Sequence, residues 1–153
     1  MHRPVGVFSL LIAGLVFLPR VAGAASAISV DAVSVSPANP GPNALCTLSV
    51  RLKNAGTKTA TNFRFKVTIE GKEVATYGIE TYAVNVPSGT SETIPLHNFW
   101  TGAAKASFPV EVSVLEGAWA DVKREGNAST TTPSGPIEGL PVSASQTVTM
   151  SAR

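Results

Sequence analysis

Cysteine occurs once in this 153-residue chain, at Cys46. A lone cysteine closes no internal disulfide, so the fold must rest on its apolar core even in an oxidising compartment. Histidine is nearly as scarce, with only His2 and His97. One Cys and one His in the body of the chain cannot make a zinc or copper site, which needs clustered ligands. No triad signature surrounds His97, the residue on which a nucleophile–His–carboxylate device would have to be built. Charge of one sign is also lacking: 12 Lys plus Arg stand against 10 Asp plus Glu. Arg3 and Arg20 belong to the leader described next, and without them the two signs balance. Such a chain has no basic excess with which to bind nucleic acid or anionic lipid.

Long hydrophobic runs are missing except at the start. Val5 to Leu18 is apolar but for Gly6, Ser9 and Gly14, and follows the basic Arg3. Pro19 and the small residues Ala22-Gly23-Ala24 come after it, the pattern that signal peptidase accepts. The run is shorter than the roughly 20 residues of a comfortable membrane span. Residues 1–24 therefore read as a signal peptide, with Ala25-Ser26-Ala27 as a second cleavage register and an uncleaved anchor as the alternative. Residues 25–153 are then one domain, exported to the periplasm or beyond, with no stable membrane span after cleavage.

Helical periodicity is absent from this domain as well. What is there alternates every two residues. Ile28 and Val30 alternate in one phase and Val33 and Val35 in the other, a slip that points to a bulge or a strand that changes sheets. Cys46, Leu48, Val50 and Leu52 share one face, and Phe63, Phe65, Val67 and Ile69 repeat the pattern. Between them Asn54-Ala55-Gly56-Thr57 turns the chain, with Gly56 expected at positive φ. Glu70-Gly71-Lys72 and Pro87-Ser88-Gly89 are further turns around a looser strand pair from Val74 to Val86. Thr93 to Leu96 reads as a short strand, and Phe108, Val110, Val112 and Val114 as a strong one. From Ala128 to Pro141 the Ser/Thr/Pro/Gly-rich composition predicts a long loop, and Ser143 to Ser151 closes the chain as a strand. The expected fold is all-β, an immunoglobulin-like antiparallel two-sheet β-sandwich of about seven strands.

The stretches RLKNAGTKTATNFRFKVTIEG, VPSGTSETIPL and FPVEVSVLEG carry a resemblance. Their order of strand, Asn-x-Gly-Thr turn, strand ending in a Gly turn, and Pro-Ser-Gly turn before another strand resembles CARDB, the cell-adhesion-related domain found in bacteria. Asn54, Gly56 and Thr57 make the first turn, and Gly89 with Ser91 the later one. The family's acidic, Asn-containing closing segment is represented by Glu116, Asp121, Glu125 and a single Asn127. The resemblance covers about residues 28–127 and implies an immunoglobulin-like sandwich with an adhesion-type role.

Candidate chemistry is sparse. Cys46 shares its face with core residues and reads as an inert buried thiol rather than a partner for His97. Glu70 and Glu73 straddle a Gly turn and read as a solvated hairpin tip rather than a glycosidase pair. Calcium needs only oxygens, and Glu116, Asp121, Glu125 and Asn127 are the candidate ligands within a span read as turn-rich. No other cofactor is indicated. Trp100 and Trp119 are candidate ligand-binding residues, since an exposed Trp stacks on a sugar or anchors a partner. Asn127-Ala128-Ser129 has the form of a glycosylation sequon. The expectation is an exported, non-catalytic binding domain for a protein or cell-surface glycan. Recognition is expected from loops at one end: Pro37–Asn43, Pro87–Thr90 and Asn127–Pro141. Two alternatives stand beside it: a carbohydrate-binding module built on the Trp pair, and a structural or chaperone-like subunit acting through an exposed strand edge.

Overall fold

The computed structural model describes residues 25–77 and 84–152. The proposed signal peptide, residues 1–24, lies outside them, as do Ile79 and Tyr82 of the looser strand pair. Among the described residues eight antiparallel strands form two sheets: β1 (Ile28–Ser36), β2 (Leu45–Asn54), β3 (Thr59–Ile69), β4 (Lys72–Tyr77), β5 (Ser91–Trp100), β6 (Ser107–Glu125), β7 (Ala128–Pro136) and β8 (Val142–Thr149). No helix among the described residues is long and apolar enough to cross a membrane.

One sheet runs β1-β2-β5, the other β4-β3-β6. The far edge of β6 is shared: Ser107–Val114 pairs with β8, and Ala118–Glu125 pairs with β7. β6 is thus 19 residues long because it serves two partners in succession. The core lies between the sheets and is filled by the alternating residues. Leu48, Val50 and Leu52 of β2 face Phe63, Phe65 and Val67 of β3 and Val110, Val112 and Val114 of β6, all fully buried. The phase slip in β1 is a bulge, with the register shifting between Val30 and Ala32 so that Ile28, Val33 and Val35 all reach the core.

Two expectations about turns and loops change. The segment from Ala128 is not a long loop, because Ala128–Pro136 pairs along β6 as β7. Its Pro133 and Pro136 are tolerated because β7 is an edge strand whose outer side needs no donors. The short strand at Thr93–Leu96 extends from Ser91 to Trp100, carrying His97 and Phe99 within it.

Candidate functional site

β3 pairs with β6 only as far as Thr59 opposite Ala120. Beyond that point β6 and β7 continue alone as a two-stranded ribbon. Asp121 to Glu125 extends it by roughly 17 Å at the usual strand rise. Every residue from Asp121 to Thr130 is exposed. Glu125 pairs with Ala128, leaving a two-residue turn in which Gly126 takes φ 61°. Positive φ at the first central residue is the type II′ pattern that matches strand twist and calls for glycine.

The ribbon has two faces. One carries Asp121, Lys123 and Glu125, and Asp121 pairs with Lys58 at 3.3 Å. The other carries Val122 and Arg124 of β6 opposite Thr131 and Ser129 of β7. This second face closes on Thr59, Asn85 and Pro87 to form a groove of about 580 Å³. Asn85 spans it, its carboxamide donating to the Thr131 hydroxyl at 3.3 Å. Val86, next to Asn85, is fixed by a two-way backbone bridge with Ala60 at the start of β3.

The structure separates the two tryptophans. Trp100 pairs with Leu45 where β2 begins and is 67% exposed. Trp119 lies at the other end of β2, half-buried, where a Cβ on Gly56 would come within 2.6 Å of its ring. Gly56 is glycine to admit this ring and not, as the sequence suggests, to reach positive φ. The two ends of β2 are roughly 30 Å apart, so the Trp pair does not form one surface. Trp100→Ala is expected to leave stability within about 0.5 kcal/mol of the parent. Trp119→Ala should cost about 2 kcal/mol through lost packing. Urea midpoints of the two variants check the contrast.

The four candidate calcium ligands are likewise not brought together. The span is strand and ribbon, not turn-rich coil. Glu116 pairs with Arg64 at 2.9 Å, Asp121 with Lys58, and Glu125 and Asn127 lie at the ribbon tip. Asp121 and Glu125 share a face but are roughly 13 Å apart along an extended strand, too far to ligate one ion. Among the described residues no three His, Cys, Asp or Glu side chains are grouped to hold a metal.

Cys46 is buried, donates to the Ala44 carbonyl at 3.8 Å, and burial pushes its thiol pKa up, away from the thiolate. His97 stacks on Phe99 with ring centroids 6.4 Å apart. The three loops expected at one end fall at two. Pro37–Asn43 packs on Thr101 and Gly102 beside the start of β2, while Gly89 bonds to Asn54 at its far end. The β6–β7 turn belongs to the Asn54 end. Sequence reading missed the groove, although Gly126-Asn127 between Val122–Arg124 and Ser129–Thr131 is a hairpin signal.

Comparison with known proteins follows this geometry. No curated protein matches the chain. Among solved structures, the NMR structure of a domain (residues 272–376) of a Methanosarcina acetivorans protein described as a cell surface protein is similar. It is 22% identical, covers 76% of this chain and 93% of its own, and superposes with a TM-score of 0.44. The model of the CARDB family matches residues 27–131, from the start of β1 into β7. With more than half of its length matched, the chain belongs to the CARDB family.

Proposed function

We propose that the protein is an exported, non-catalytic binding domain that meets a protein or cell-surface glycan through the β6–β7 ribbon. Membership of CARDB marks it as an extracellular-type domain. The observation that carries the finer reading is the ribbon itself. An isolated two-stranded ribbon gains little stability in water. Exposed from Asp121 to Thr130, this one adds nothing to the core. It also forms the wall of the groove. A rigid sandwich holding out such an element is the usual arrangement for contact with a partner. The non-catalytic part is supported by the burial of Cys46 and the stacking of His97. The strand-edge alternative is less favoured, since the edge strand β5 carries Pro95 and β4 carries Lys72 and Glu73, features that discourage pairing.

The test trims the ribbon. Asp121 and Thr132 are cross-strand partners, so residues 122–131 are replaceable by an Asn-Gly turn between them. The trimmed protein should melt within a few degrees of the parent. Its binding to cell envelopes of the organism that encodes it, followed with a fluorescent label, should fall at least tenfold. Unchanged envelope binding by the trimmed protein would refute the ribbon as the contact element.

A further inference from the structure

The groove between the ribbon and the Asn85–Pro87 segment has a lining that selects a ligand chemistry. Its hydrogen-bonding groups are the Asn85 carboxamide and the hydroxyls of Thr59, Ser129 and Thr131. Val122 and Pro87 supply a small apolar patch. Among the described residues Arg124 is the one charged group in the lining, and no ion pair among them involves it. An adjoining depression of about 210 Å³ shares Asn85 and Thr131 and adds the Asn62 carboxamide. Among the described residues no carboxylate and no aromatic ring lines either space. The main groove falls within the roughly 300–1,000 Å³ of small-ligand sites.

We propose that this groove binds an acidic saccharide, with the sugar carboxylate on Arg124 and the ring hydroxyls on Asn85, Ser129 and Thr131. The inference rests on the binding reading above and names its ligand. A guanidinium presents paired N–H donors that fit a carboxylate in bidentate fashion. Hydroxyl and carboxamide side chains both donate and accept, as sugar hydroxyls do. Val122 and Pro87 can meet the C–H face of a sugar ring. A neutral sugar held by stacking is disfavoured, because neither Trp100 nor Trp119 reaches the groove. A peptide adding itself as a strand is disfavoured too. The groove is lined by a face of the ribbon, and the backbone groups such a peptide needs lie at strand edges.

Calorimetric titration of the purified protein tests this with trigalacturonate, a glucuronate disaccharide, and the methyl ester of trigalacturonate, which removes the charge. At least one acid form should bind saturably, and more weakly as salt is raised. The methyl ester should bind at least tenfold more weakly than trigalacturonate if the latter is the binder. Arg124→Gln should lose at least tenfold in affinity. Arg51→Gln, at an exposed position on β2, should lose nothing. Circular dichroism melts confirm that both variants fold. Binding of neither acid, equal binding of the ester, or full affinity in Arg124→Gln overturns the proposal. So does an acidic peptide that binds in the groove where both sugars fail. If the trimmed ribbon abolishes envelope binding while neither sugar binds, the binding domain stands and the acidic-sugar assignment falls. If trimming has no effect and the sugars fail, both fall.

Discussion

Asn54→Ala is expected to lower the unfolding free energy by about 3–5 kcal/mol, among the largest losses available to a single polar residue here. Asn54 ends β2, and its side chain is fully buried. The carboxamide nitrogen donates to the carbonyls of Lys58 and Val86, each at 2.8 Å. The oxygen accepts from the Gly56 amide at 2.9 Å. Its backbone adds two more bonds, donating to the Thr90 carbonyl at 2.9 Å and accepting from the Gly89 amide at 2.8 Å. One residue thus joins the Asn54–Lys58 turn, the segment that floors the groove and the turn before β5. Alanine keeps the backbone bonds and removes the other three. The Val86 carbonyl retains Ala60 as a partner, but the Gly56 amide and the Lys58 carbonyl lose theirs. These two bonds are part-buried, so each lost partner costs about 1 kcal/mol, and the loss of the buried bond to Val86 and the vacated volume supply the rest. Asn54→Asp separates the terms. It keeps an acceptor for Gly56 but points a carboxylate at two carbonyl oxygens, which raises the carboxyl pKa in the folded state. A raised folded pKa means that the native state binds the extra proton, so stability falls as pH rises past about 4, the unfolded value. Urea unfolding followed by Trp fluorescence should show Asn54→Asp more stable at pH 4 than at pH 7, relative to the parent. A loss below about 1 kcal/mol in Asn54→Ala would contradict this account of the turn.

How far the fold is legible depends on whether a strand has one wet face. Cys46, Leu48, Val50 and Leu52 announce β2 because every second residue enters the core, and Phe63 to Val67 and Phe108 to Val114 do the same for β3 and β6. The bulge in β1 is legible for the same reason, since the slip between Val30 and Val33 breaks an otherwise strict period. β7 is not. As an edge strand wet on both faces over much of its length, it has no alternation to read, and its Ser, Thr and Pro residues look like a loop. The same gap explains the candidate site. Glu116, Asp121, Glu125 and Asn127 are near neighbours in sequence, but an extended strand spreads them apart rather than gathering them. Gly56 shows the limit of local reading. Its turn chemistry is visible, yet the residue that demands glycine is Trp119, which only the β3–β6 pairing brings there. The groove draws on residues of β3, the Asn85–Pro87 segment, β6 and β7, and no spacing in the chain announces such a convergence.

Phe63→Ala should cost about 3–5 kcal/mol, and its coupling to Gly117 should reveal why the β3–β6 pair is built as it is. Phe63 is fully buried, its ring 5.9 Å from that of Phe65. It sits in a bulge. Thr61 pairs with Ala118 and Arg64 with Glu116, so Asn62 and Phe63 together oppose the single residue Gly117. Asn62 takes φ 54°, the local twist that lets Phe63 turn inward. Gly117 makes room for the result. A Cβ there would lie 3.0 and 3.1 Å from two atoms of the Phe63 ring and 2.9 Å from Ile137 Cδ1. Ile137 can rotate its terminal methyl away, but a ring enclosed by the core cannot yield as easily. Gly117→Ala alone should therefore cost about 1–3 kcal/mol as overpacking. In a Phe63→Leu background the ring is gone and the added methyl meets space. The double variant should then be more stable than the sum of the two losses by at least about 1 kcal/mol. Chemical denaturation of the four proteins in this cycle measures the coupling directly. Additivity within about 0.5 kcal/mol would mean that the bulge and the glycine are independent, and that the ring contact does not explain Gly117.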